Sequence, residues 1–110
     1  MVRGNQECAA RSHYLDLVAE QDEAIAKGRE LDPDHTLDMM QALQTLTRAA
    51  RDMTVFAFDN AGTTVVLATN PLQRCLRDIF TGLKHGVVTP GILGRIGKVR
   101  LGLDYGPRRI

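Results

Sequence analysis

The sequence predicts an all-α fold: an up-down four-helix bundle in which two long helices are followed by two short ones. Three observations predict it. Capping residue–proline pairs stand at Asp32-Pro33, Asn70-Pro71 and Thr89-Pro90. Each puts an N-cap oxygen ahead of a proline at the first helical position, where the missing N–H costs nothing. Apolar residues recur in the second helix at alternating steps of four and three, the signature of a helix packed nearly parallel to its neighbours. Glycines stand where the periodic stretches stop.

Helix one is expected over about residues 5–27, with Ala10, Tyr14, Leu17 and Ala24 inward, joined by Val18 and Ile25, and with Gly28 ending it. Helix two should run over about residues 33–60 and stop before Gly62, with Met39, Leu43, Leu46, Ala50, Met53 and Ala57 as its seam. The β-branched stretch Thr63-Thr64-Val65-Val66-Leu67 has no partner strand and reads as an extended link or a frayed helical turn. Helix three, over about residues 71–85, offers Leu72, Leu76, Ile79 and Leu83 on one face, and Gln73 after Asn70 reads as a variant capping box. Helix four, over about residues 90–103, uses Leu93, Ile96 and Val99. Its glycines at 94, 97 and 102 suit a helix held in place by contact with something else. The tail Gly106-Pro107-Arg108-Arg109-Ile110 is expected to be mobile.

With 110 residues the chain makes a single domain, residues 1–110. Hydrophobic residues reach 44% but aromatics only 5%, so the core must be aliphatic. A bundle of this size buries a modest share of its surface and is often steadied by partner chains. The formal net charge of +1 hides an asymmetry. Residues 1–70 carry six Lys/Arg against eleven Asp/Glu, a net −5, and residues 71–110 carry eight against two, a net +6. The basic part can face phosphate, or the two halves can neutralise each other. Cys8 and Cys75 stand in no metal or redox spacing, which with the absence of a signal peptide points to a reduced, cytoplasmic protein. No membrane span is expected.

Recognised catalytic constellations are missing: no Ser-His-Asp arrangement with its motif, no phosphate-cradling glycine loop, no His-Glu metal motif. His13 and His35 are expected to face solvent, and Asp32 with His35 reads as helix capping, so no metal site is expected. The densest cluster is Pro71-Leu72-Gln73-Arg74-Cys75-Leu76-Arg77-Asp78, followed by His85. Arg74 and Asp78, one turn apart, read as a structural ion pair with Arg77 on a neighbouring face, and His85 as a dipole-complementing residue of the last turn.

The stretch Asn70-Pro-Leu-Gln-Arg-Cys-Leu-Arg-Asp-Ile79, then His85 and Gly97-Lys-Val-Arg-Leu-Gly102, resembles the C-terminal helical domain of the acyl-CoA dehydrogenase-like superfamily. The likeness is nearest to its flavin-dependent monooxygenase branch. That branch shows Pro-Leu-x-Arg-x-x-Arg-Asp, a histidine eight residues after the second arginine, and a Gly-x-x-Leu-x-Gly-like ending. Arg77 to His85 keeps that interval, and the long helix ending in Phe58 to Gly62 is similar to the helix that leads to the family's glycine turn beside the flavin. The resemblance covers roughly residues 37–102.

The resemblance implies a bundle that forms an oligomer core. It implies His85 as a proton or hydrogen-bond partner near flavin and substrate, and Gly62, Thr63 and Thr64 at the cofactor turn. Arg77 and Asp78 would brace the helix within the bundle. The family's N-terminal helical domain, middle β-domain and acidic catalytic base have no counterpart in the sequence, and neither does the first helix of its C-terminal domain. The expectation is therefore a detached or truncated C-terminal bundle of a flavin-dependent oxidoreductase, not active alone. FAD or FMN would be held only with a homo-oligomer or a second subunit that supplies the missing domains. The alternatives are a non-catalytic helical association module and a nucleic-acid-binding domain. Against the latter, the basic residues are dispersed and no aromatics interleave with them.

Overall fold

The computed structural model describes residues 2–86 and 88–104 and is all-helical. Its elements are α1 (Val2–Ala26), α2 (Pro33–Asn60), a single 3₁₀ turn (Thr63–Val66), α3 (Pro71–Gly82) and α4 (Gly91–Arg100). The predicted architecture of two long helices followed by two short ones is the observed one. The β-branched stretch is the 3₁₀ turn, pinned by Val65, which is buried. Arg108, Arg109 and the tail expected to be mobile lie outside the described residues.

Local chemistry sets most of the ends. Asp32 accepts from the Asp34 N–H at 3.0 Å with Pro33 at N1, and Asn70 accepts from the Leu72 N–H at 2.9 Å with Pro71 at N1. α1 and α4 both close through a left-handed glycine, Gly28 at φ 65° and Gly102 at φ 71°. In each case the residue after the glycine donates back to the helix, Arg29 N–H to the Ala24 carbonyl and Leu103 N–H to that of Lys98. This double-bonded ending satisfies carbonyls that would otherwise be orphaned.

Three expected boundaries shift. α3 ends at Gly82, because Lys84 and His85 donate to carbonyls three residues back and tighten the chain out of the α-helix. α4 begins at Gly91 with Pro90 as its N-cap; Thr89 does not cap it, and its hydroxyl donates to the Gly86 carbonyl instead. At its other end α4 stops at Arg100 instead of running to residue 103, because Gly102 turns the backbone. Nor does Gln73 complete a capping box. Its side-chain amide donates to the Val66 carbonyl, and Asn70 Nδ2 donates to that of Thr64. These bonds fasten the 3₁₀ turn to the start of α3.

α2 is the central element. α1 lies antiparallel along one side, with Glu20 reaching His35 near the connecting loop while Ala10 borders Thr45 and Ala49 farther on. On the other side α3 covers the C-terminal half of α2, where Arg51 meets Phe80. α4 covers the N-terminal half: Ile92 and Ile96, with Val99 against them, pack on Leu37 and Met40. Across the same contact Arg100 Nη2 lies 2.7 Å from Asp38 Oδ1. This pair joins the basic part of the sequence to the acidic part, and its exposure limits its contribution to less than about 1 kcal/mol.

Because α2 is covered on two sides, its buried residues do not form the single predicted seam. Leu37, Met40, Ala42 and Gln44 are the buried ones, whereas Met39, Leu43, Leu46, Ala50 and Ala57 are half-buried and Met53 is exposed. On α1 the positions Ala10, Leu17 and Ala24 are buried as expected, but Ile25 is 66% exposed. α3 turns Leu72, Leu76, Ile79 and Leu83 inward to half-burial. In α4 Ile92, not Leu93, joins Ile96 in the core, since a four-residue step from Ile96 selects that face.

The resulting body measures 51 × 32 × 24 Å with a radius of gyration of 17.0 Å. A compact domain of this length has about 13 Å. No described helix is long and apolar enough to cross a membrane.

Candidate functional site

Gly62 caps the 3₁₀ turn, with open space around the position a Cβ would occupy, and Thr63 and Thr64 are exposed on that turn. The Thr64 carbonyl is occupied by the Leu67 N–H and by Asn70. His85 is exposed in the connection after α3 and not in its last helical turn. These two groups therefore flank opposite ends of α3, whose 12 residues span about 18 Å. The fold sets them at opposite ends of α3 and not side by side.

Arg74 Nε stands 3.8 Å from Asp78 Oδ2, and both side chains are largely in solvent. This is the expected pair, on the surface. Arg77 is exposed one face away, beside Leu76, Phe80 and Lys84. Cys8 and Cys75 are exposed free thiols. Among the described residues no group of three His, Cys, Asp or Glu side chains is placed to hold a metal.

His35 is a correction to the sequence reading. Its side chain is only 10% exposed, because α1 passes over the first turn of α2 and brings Glu20 Oε2 to 3.4 Å from Nε2. Neither ring nitrogen has a hydrogen-bond partner among the described residues. Leaving buried polar atoms unpaired costs about 1–3 kcal/mol. Replacing His35 with leucine is therefore expected to raise the thermal midpoint, by about 4–8 °C for each kcal/mol recovered, read by differential scanning calorimetry. A lowered midpoint would show that the imidazole holds α1 to α2.

Two of the concave features along α2 were missed by sequence reasoning. One, of about 470 Å³, lies between the C-terminal half of α2 and the α3–α4 connection. Arg48, Arg51 and Lys84 border it, with Phe80, Leu83 and Val88 as apolar walls. The other, of about 510 Å³, lies toward α1 and Leu93. Gln44, Arg48 and Asp52 border both clefts. The only signal in the sequence was the i, i+3 spacing of Arg48 and Arg51 on a helix otherwise poor in cations.

In comparison with known families, the chain matches the family described as acyl-CoA dehydrogenase, C-terminal domain, over residues 6–90. The matched range takes in nearly all of α1, all of α2 and α3, and ends just before α4. No curated protein and no solved structure matches the chain.

Proposed function

The chain belongs to the acyl-CoA dehydrogenase C-terminal domain family, and on that premise we propose that it serves as the helical assembly domain of a flavin-dependent oxidoreductase, nearest the monooxygenase branch. The family match over residues 6–90 carries the reading. The unclosed shape supports it, since a radius of gyration of 17.0 Å leaves helix faces that a second copy or another domain would cover. Met53, Phe56, Val66 and Leu67 stand exposed around the end of α2, and Ile25, Leu101 and Leu103 are exposed elsewhere. On this reading FAD or FMN meets Gly62, Thr63, Thr64 or His85 only at a surface completed by that partner. His85 then offers its imidazole to the flavin or substrate as a proton or hydrogen-bond partner.

A second reading, a non-catalytic association module, is favoured by one observation: the residues named for the cofactor lie at opposite ends of α3. Light scattering and a flavin absorbance titration address both readings. Self-association above the 12.1 kDa monomer at micromolar concentration is expected on either. Flavin retained after gel filtration with the partner domains of such an enzyme, and lost on His85→Ala, is the outcome for the oxidoreductase. Retention unchanged by His85→Ala, or no retention, leaves the association module. A strict monomer with no binding of a hydrophobic dye would overturn both.

A further inference from the structure

The cleft between α2 and the α3–α4 connection has a composition that the assembly role does not use. Three cations border it, and one acid, Asp52. Arg51 is already engaged: its Nη1 lies 3.1 Å from Asp52 Oδ1, and its guanidinium carbon stands 5.2 Å from the centre of the Phe80 ring. Asp52 is thereby committed to Arg51. Arg48 on α2 and Lys84 just after α3 make no ion pair with any described residue. Two uncompensated cations from different elements thus share one concavity, whose wall includes the buried Val88 and the half-buried Leu83.

A cation left unpaired in the open is ordinary. Two at the rim of an apolar concavity of about 470 Å³, within the usual range for small-ligand sites, form a chemical pattern with a definite complement. An anionic head would meet the guanidinium and the ammonium through charge-assisted bonds. An apolar body would displace water from Leu83, Val88 and the exposed part of Phe80. Gln44 spends its amide N–H on the Thr89 carbonyl and keeps its own oxygen as an acceptor for a polar group on that body.

We propose that this cleft binds a small amphiphilic anion, with a phosphate or carboxylate head on Arg48 and Lys84 and a short aromatic or branched apolar body against Leu83, Val88 and Phe80. The proposal stands apart from the flavin reading, because none of Gly62, Thr63, Thr64 and His85 lines this cleft.

The test is calorimetric titration of the full chain at low salt with phenyl phosphate, phenylacetate, inorganic phosphate and benzyl alcohol. Phenyl phosphate or phenylacetate should bind with a millimolar or tighter constant, and the stronger of the two identifies the head group. Inorganic phosphate and benzyl alcohol should each bind at least about tenfold more weakly, since each supplies half of the recognition. Both cations are exposed, so the double variant Arg48→Gln, Lys84→Gln should keep its helical circular dichroism and lose at least about tenfold in affinity. Arg74→Gln, on the outer face of α3, should bind as the parent does. The proposal is overturned if no aryl anion binds the folded chain at millimolar concentration. It is equally overturned if the double variant binds unchanged, or if Arg74→Gln weakens binding as much as the double variant does.

Discussion

Ile96→Ala is expected to lower the unfolding free energy by about 2–4 kcal/mol, read from urea titrations followed by far-UV circular dichroism. Ile96 is 4% exposed and sits in the cluster that α4 shares with Leu37 and Met40. Few other contacts hold α4. It has 10 residues, below the length at which a helix stands alone. Gly94 and Gly97 within it each cost up to about 1 kcal/mol relative to alanine. Its other contacts include Ile92, Val99, the half-exposed Arg100–Asp38 pair and, just ahead of its first turn, the Gln44 bond to the Thr89 carbonyl. Against a typical total of about 5–15 kcal/mol, this one truncation should detach α4 before the rest of the bundle melts, giving a broadened or two-step transition. Leu101→Ala, at a position 75% exposed, should shift the same curve by less than about 0.5 kcal/mol. Equal effects from the two changes would show that α4 is not packed as described.

The contrast between Ile92 and Leu93 shows what the sequence made legible. At two helix starts and one helix end, a single residue's chemistry acting on its immediate neighbours sets the boundary that the sequence predicts. Asp32 and Asn70 cap α2 and α3 at the residues named for them, and Gly28 ends α1 through a left-handed turn. Which side of a helix meets its neighbour depends on where other helices lie, and a short, glycine-rich segment offers too few apolar positions to choose between adjacent faces. The same non-local cause buries His35: nothing near it in sequence announces that α1 will cross its turn and set Glu20 beside it. Thr89 failed as a cap because Pro90 is itself the N-cap of α4 and Thr89 bonds backward to Gly86. Gly62, Thr63, Thr64 and His85 were legible only through family motif order, which carries no information about distance. The basic cleft was illegible because α2 contributes Arg48 and Arg51 while Lys84 and Phe80 arrive from the far side of a connecting turn.

Gln44 offers the second large effect, and two substitutions separate its causes. It is 4% exposed, a polar side chain in the interior of α2, and its Nε2 donates to the Thr89 carbonyl just before α4. That carbonyl also accepts from the Ile92 N–H, so it keeps a partner when Gln44 is replaced. Gln44→Leu retains most of the volume and forfeits only the bond, and is expected to cost about 1 kcal/mol. Gln44→Ala forfeits the bond and leaves a cavity where the two clefts approach each other, and is expected to cost about 3 kcal/mol. Both values come from chemical denaturation with the slope checked for constancy. The ordering carries the argument. If leucine costs as much as alanine, the bond between α2 and the start of α4 is the dominant restraint on α4, and the packing of Ile92 and Ile96 is secondary. If leucine is nearly neutral while alanine is severe, the side chain acts as a wall, and α4 is held by shape.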